Sequence, residues 1–124
     1  MSAVAEDVTF LVRDRADEQI KANGIHLTGS MGNTSLADPN ITTNLNDILV
    51  SKKIDVIILA VKSFHTSAII NLLKSATKDY PTVLCLQNGV DNENLLSDAL
   101  GIETVIPGTV TSAVSISKTG TVNV

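Results

Sequence analysis

The stretch Val56-Ile-Ile-Leu-Ala-Val-Lys62-Ser-Phe-His-Thr66 runs six apolar residues together and then places a lysine at their end. A run of β-branched and aliphatic residues without polar alternation predicts a strand covered on both faces. Beyond Lys62 the apolar period changes. Ser63 can cap a helix running to about Lys78, with Phe64, Ala68, Leu72 and Ala76 on one face and Ile69 and Leu73 beside it. The strand-then-helix pattern recurs along the chain. Val8–Val12, Ile54–Val61, Thr82–Leu86 and Glu103–Ile106 read as strands, and Ala16–Asn23, Leu45–Lys52 and Asn92–Leu100 as further helices. Gly24 and Gly101 supply C-terminal stops for two of these. Strands alternating with helices at this spacing predict an α/β fold, a Rossmann-like doubly wound and mostly parallel sheet. Two exceptions stand out. Ile25–Thr28 and Ile41–Thr43 flank the loop Gly29–Asn40, the nearest thing to a linker, as a hairpin-like excursion. The tail, Thr109–Ser117 then Thr119–Val124, predicts a small antiparallel part turning near Lys118–Gly120.

The 124 residues amount to one domain's worth of chain or one part of a larger protein, and 44% hydrophobic residues are enough for a core. No apolar run has the length of a membrane helix, and the N-terminus does not read as a signal peptide. Cys85 is the single cysteine, placed inside Val83-Leu-Cys-Leu86. One thiol builds neither a disulfide framework nor a thiolate metal site, and a small buried thiol fits a reducing, cytoplasmic setting. A net charge of −4 with 2% aromatics gives no basic stripe and no stacking platform, which argues against a nucleic-acid partner.

Open α/β sheets bind ligands beyond the carboxyl ends of their strands. Those ends carry Arg13, Asp14 and Arg15, then Lys62, then Gln87, Asn88 and Gly89, then Pro107, Gly108 and Thr109. Each has a structural reading as well. A lysine can end a strand in water while its stem covers apolar surface. Asn88-Gly89 is a turn signal, and the Arg-Asp-Arg cluster can be an exposed charged face. Together they put cations and amides where such a sheet would hold an anionic or polar ligand.

The segments Val8-Thr-Phe-Leu-Val-Arg13, Asp55-Val-Ile-Ile-Leu-Ala-Val-Lys62, Leu86-Gln-Asn-Gly-Val90 and Val105-Ile-Pro-Gly-Thr109 resemble the ketopantoate reductase (2-dehydropantoate 2-reductase) family, in its order and approximate spacing. The resemblance covers nearly the whole chain. It implies an NADP-binding Rossmann domain of a two-domain enzyme that reduces 2-dehydropantoate, a 2-oxo acid, to pantoate in pantothenate and coenzyme A biosynthesis. By this resemblance Arg13 contacts the adenosine 2′-phosphate of NADP, while Lys62 and Asn88 lie near the nicotinamide half of the cofactor, beside the substrate. Asp14 is the alternative reading at the first site, since an acidic residue near this strand end holds the ribose hydroxyls of NAD in other Rossmann proteins.

The departures carry expectations of their own. The glycine-rich turn G-x-G-x-x-G, which receives the pyrophosphate, does not occur, and Gly29-Ser-Met-Gly32 has the wrong spacing to replace it. Met1–Asp7 reads as the last turn of a preceding helix, so the resemblance implies a domain truncated at both ends, without its first strand and without the helical substrate domain. No catalytic residue is then expected in this chain. His26 and His65 read as structural or exposed, and no hydrolytic motif is present. A missing central strand leaves the Val8–Val12 and Ile54–Val61 strands facing a gap, so a homo-oligomer or a rearranged sheet is expected. The competing readings are a part of an NADP-dependent reductase, a non-catalytic nucleotide-binding or oligomerisation module, and a related dehydrogenase acting on a different 2-oxo acid.

Overall fold

The computed structural model describes residues 7–30 and 32–124. In chain order the elements are β1 (Thr9–Leu11), α1 (Asp14–Asn23), β2 (Ile25–Thr28), β3 (Thr34–Leu36), β4 (Asn40–Thr42), α2 (Leu45–Ser51), β5 (Val56–Leu59), α3 (Thr66–Ala76), β6 (Thr82–Cys85), α4 (Asn92–Leu100), β7 (Val105–Pro107), β8 (Ser115–Lys118) and β9 (Thr121–Asn123), with 3₁₀ turns at Ser63–His65 and Ile102–Thr104. The expected helical turn at Met1–Asp7 lies, apart from Asp7, outside the described residues. Two compact units result. One is Leu45–Thr111; the other joins the chain up to Asn44 with Ser112–Val124.

In the Leu45–Thr111 unit, β5, β6 and β7 form a parallel sheet in that order, in the register Leu59↔Cys85↔Pro107. Parallel neighbours need a crossover, and α3 and α4 provide the two crossovers. Their apolar faces cover one side of the sheet. Ile70, Leu73, Leu96 and Leu100 pack with Leu59, Val83, Cys85 and Val105 in one buried cluster. Burying a side chain of this size stabilises the fold by roughly 1.5–3 kcal/mol, so this cluster dominates the unit. The strands were expected to be covered on both faces, and they are not. Val56 and Ile58, which point away from the helices, are 51% and 62% exposed, and Ile106 on β7 is 49% exposed.

The face of α3 also differs from the expected one. Phe64 and Leu72 are exposed, and Thr66, Ile70 and Leu73 are buried. The 3₁₀ turn at Ser63–His65, with three residues per turn, takes Phe64 out of phase with the helix, and within α3 the core is met by Ile70 together with Leu73, which was expected beside the apolar face. Ser63 does not act as the cap: Lys62 precedes the 3₁₀ turn in extended backbone, and neither it nor His65 makes a side-chain capping bond.

In the other unit β1 pairs in parallel with β4, and β3-β2-β9-β8 form a second sheet. Ile25–Thr28 makes its hairpin with Thr34–Leu36, inside the segment expected to be a linker, while Asn40–Thr42 pairs with β1. The strand Thr34–Leu36 has two polar residues and a half-exposed leucine, so it carries no burial pattern to reveal it. The expected antiparallel tail is present as β8 and β9, shortened to Ser115–Lys118 and Thr121–Asn123. The Val8–Val12 and Ile54–Val61 strands belong to different sheets and do not pair with each other among the described residues. The expected α/β architecture with parallel pairing is present, its strands distributed among the described residues over a two-, a four- and a three-stranded sheet.

Candidate functional site

Because β5, β6 and β7 run parallel and in register, their carboxyl ends share one edge, and the segments leaving them are neighbours. Lys62 and Asn88 each lie three residues beyond the paired positions Leu59 and Cys85. Both are exposed, and neither side chain makes a hydrogen bond or ion pair with another described residue. The structure therefore brings these two residues to the same edge. Gly89 sits between them: a Cβ there would stand 3.8 Å from Ser63 Cβ and 3.3 Å from Asn92 Nδ2, which measures how closely the two loops approach.

Arg13 belongs to the other unit. It follows β1 and is the N-cap of α1, in extended backbone (φ −77°, ψ 150°), with its carbonyl accepting the Ala16 amide at 2.8 Å. Its guanidinium is exposed. Asp14 and Asp17 fill the first helical turn, where carboxylates favour the positive end of the helix dipole. Asp14 is exposed beside Arg13, and Asp17 pairs with Lys21 at 2.7 Å.

Behind Lys62 and Asn88 lies a polar cluster that sequence reading did not single out as a site. Thr66 is 0% exposed, Asn92 2% and Gln87 5%. Gln87 Nε2 donates to the Val61 carbonyl at 2.8 Å and to Thr66 Oγ1 at 3.0 Å. Thr66 Oγ1 lies 3.4 Å from Asn92 Oδ1, and Asn92 Nδ2 donates to the Asn88 carbonyl at 3.3 Å. The Cys85 thiol lies 3.7 Å from Gln87 Oε1. The available signal was Gln87 itself, a long polar side chain set directly after a buried strand.

The two histidines make local contacts. His26 Nε2 faces the Asn23 carbonyl at 2.6 Å and must donate to it, so Nδ1 of the neutral ring accepts from Ser35 Oγ at 2.9 Å. His65 stacks at a tilt on Phe64, with ring centroids 4.3 Å apart. No cluster of three or more potential metal ligands occurs among the described residues. Nor is any helix among them long and apolar enough to cross a membrane.

Residues 1–124 match the family described as ketopantoate reductase PanE/ApbA. The chain is 34% identical over 101 residues to a 2-dehydropantoate 2-reductase of Pyrococcus horikoshii, covering 82% of this chain and 31% of that protein. It also resembles a 2-dehydropantoate 2-reductase of Halobacterium salinarum, 28% identical over 104 residues, with 84% of this chain and 33% of the relative covered. Among solved structures, the 2-dehydropantoate 2-reductase of Geobacter metallireducens superposes with a TM-score of 0.83 at 28% identity, over 96% of this chain and 38% of that one. The chain thus spans about a third of the length of the curated relatives it matches. Its mixed α/β architecture is that of the Rossmann-like N-terminal domain of these reductases.

Proposed function

Because the chain belongs to the ketopantoate reductase PanE/ApbA family, we propose that it forms the nicotinamide-cofactor-binding part of a reductase acting on a small 2-oxo acid, with NADP as the cofactor and 2-dehydropantoate as the substrate. The observation that carries this reading is the placement of Lys62 and Asn88, exposed and without side-chain hydrogen-bond or ion-pair partners among the described residues, at the shared edge of a parallel sheet. This donor set fits a dinucleotide and a carboxylate. Lys62 offers an ammonium that hydrogen-bonds ribose and attracts the substrate carboxylate, and the Asn88 amide offers two donors and an acceptor. Arg13 offers a planar fork suited to a 2′-phosphate. When bound, NADPH supplies the hydride that turns a carbonyl into an alcohol. The residues of this chain bind and orient. None of them is assigned the proton delivered to the alcohol oxygen, since both histidines are held by structural contacts. The glycine-rich turn that would receive the pyrophosphate does not occur in this sequence, so weak binding is expected of these residues alone.

The test is a fluorescence titration of NADPH, then NADH, into the purified chain; with no tryptophan present, nicotinamide emission is read against little background. Saturable binding that prefers NADPH and is weakened by Arg13→Ala and Lys62→Ala supports the reading. Binding indifferent to both substitutions defeats it.

One observation favours a second role beside the first. β5 has β6 on one side and no strand on the other among the described residues, and Val56 and Ile58 leave an apolar stripe next to that open edge. Open apolar edges pair with other chains. We propose that a second copy of the chain covers this edge. Light scattering at micromolar concentration should then give a dimer or larger species, and a clean monomer would refute the idea.

A further inference from the structure

We propose that Gln87, Thr66 and Asn92 act as one positioning unit that locks the Lys62 loop to the Asn88 loop. Its importance for cofactor binding rests on the proposed nicotinamide site at Lys62 and Asn88. The assignment comes from the protons available. The Gln87 Nε2 group has two hydrogens, and two acceptors lie within reach, the Val61 carbonyl at 2.8 Å and Thr66 Oγ1 at 3.0 Å. Having accepted from Gln87, the Thr66 hydroxyl has one proton to give. Gln87 Oε1 at 3.2 Å and Asn92 Oδ1 at 3.4 Å both lie within its reach. The Cys85 thiol faces Gln87 Oε1 at 3.7 Å, so that oxygen has another donor and the Thr66 proton goes to Asn92. Asn92 Nδ2 then donates to the Asn88 carbonyl at 3.3 Å. This orientation places both Gln87 Nε2 protons, the Thr66 proton and one of the two Asn92 Nδ2 protons. It runs from the carbonyl immediately before Lys62 to the carbonyl of Asn88 itself.

Two further features show that the loops need such a clamp. Gly89 has φ +116° and Asp91 has φ 65°, so the segment from Asn88 to α4 carries a left-handed non-glycine residue. Strained backbone of this kind persists only where its surroundings over-determine it. The second feature is burial. Polar groups removed from water are costly when a partner is lost, so the three side chains stand or fall together. Among the described residues neither the Lys62 nor the Asn88 side chain makes a hydrogen bond or ion pair that would hold its own loop, and the buried unit behind them supplies the fixing.

The experiment uses the full chain and the near-isosteric Thr66→Val, which removes only the middle of the relay, with Thr66→Ser restoring the hydroxyl. Gln87→Leu is the harsher second variant. Hydrogen exchange is followed in segments 60–66 and 86–95. Thr66→Val should speed exchange about tenfold in both segments, and Thr66→Ser should return both towards the wild type. Acceleration in one segment only, or an equal acceleration at Leu73 in the helix interior, overturns the proposal. A second readout tests the link to Lys62. In NADPH titrations, Thr66→Val and Lys62→Ala should be non-additive, the double variant losing less than the product of the two single losses because only the Asn88 part of the Thr66 effect remains. Additive losses overturn action through Lys62. Wild-type chain that binds no NADPH while both segments respond together sinks the cofactor reading and leaves the positioning unit supported.

Discussion

The two units of the molecule are held together by different means. Leu45–Thr111 contains nearly all of the buried apolar side chains, with Leu73, Val83, Cys85 and Leu96 at 1% exposure or less. The other unit has Ile20 as its buried hydrophobic residue among those described, and joins its segments through backbone. His26 donates its amide to Gly120 O at 2.7 Å, Val124 donates to Thr28 O at 2.8 Å, and Gly24 is buried where a Cβ would run into the Leu36 carbonyl. Side-chain packing in one and close backbone approach in the other teach where to expect rigidity. Lys62 and Asn88 stand on the packed unit. Arg13 stands on the one with little core.

The contrast can be broken from either side. The largest effect is expected from Leu73→Ala, which removes about 2–5 kcal/mol by opening a cavity in the packed unit. Tyr80, the sole tyrosine, packs against that core, so its fluorescence in a urea titration reports the loss. Leu36→Ala in the other unit, at 46% exposure, should cost less than about 1 kcal/mol. Equal costs would erase the distinction. Gly24→Ala sharpens it from the other direction. Gly24 has φ +74° with no room for a Cβ, so alanine should cost roughly 1–3 kcal/mol, read as faster exchange in β2 with little change at Leu73. The smallest effect is expected from Lys21→Ala. Its pair with Asp17 spans one helical turn and its side chain is 60% exposed, so the loss should stay below about 0.5 kcal/mol by thermal melting.

Legibility in the sequence divides along the same line. The helix Asn92–Leu100 was legible to the residue, because Gly101 ends it and Leu96 and Leu100 repeat at helical spacing. The three parallel strands of the packed unit were legible as apolar runs, and from their ends came Lys62 and Asn88 on one edge. The buried face of α3 was legible in Leu73 but not in Ile70 or Thr66, and the 3₁₀ turn that sets Phe64 apart leaves no apolar signature. The strand Thr34–Leu36 escaped because backbone pairing holds it and its side chains face water. Thr66 and Asn92 escaped for a related reason. Polar residues in the first turns of helices read as caps, and only the fold shows that Thr66 links Gln87 to Asn92. A strand-end charge shows in a local pattern; a buried relay between two loops needs the tertiary structure.

The central claim is that the edge bearing Lys62 and Asn88 is where a nicotinamide cofactor binds. Amide chemical shifts of the isotopically labelled chain, followed by nuclear magnetic resonance as NADPH is added, test it most directly. The account predicts saturable shifts concentrated in residues 61–65 and 87–91, diminished in Lys62→Ala. Shifts confined to other surfaces, or no shift at millimolar NADPH, would contradict it.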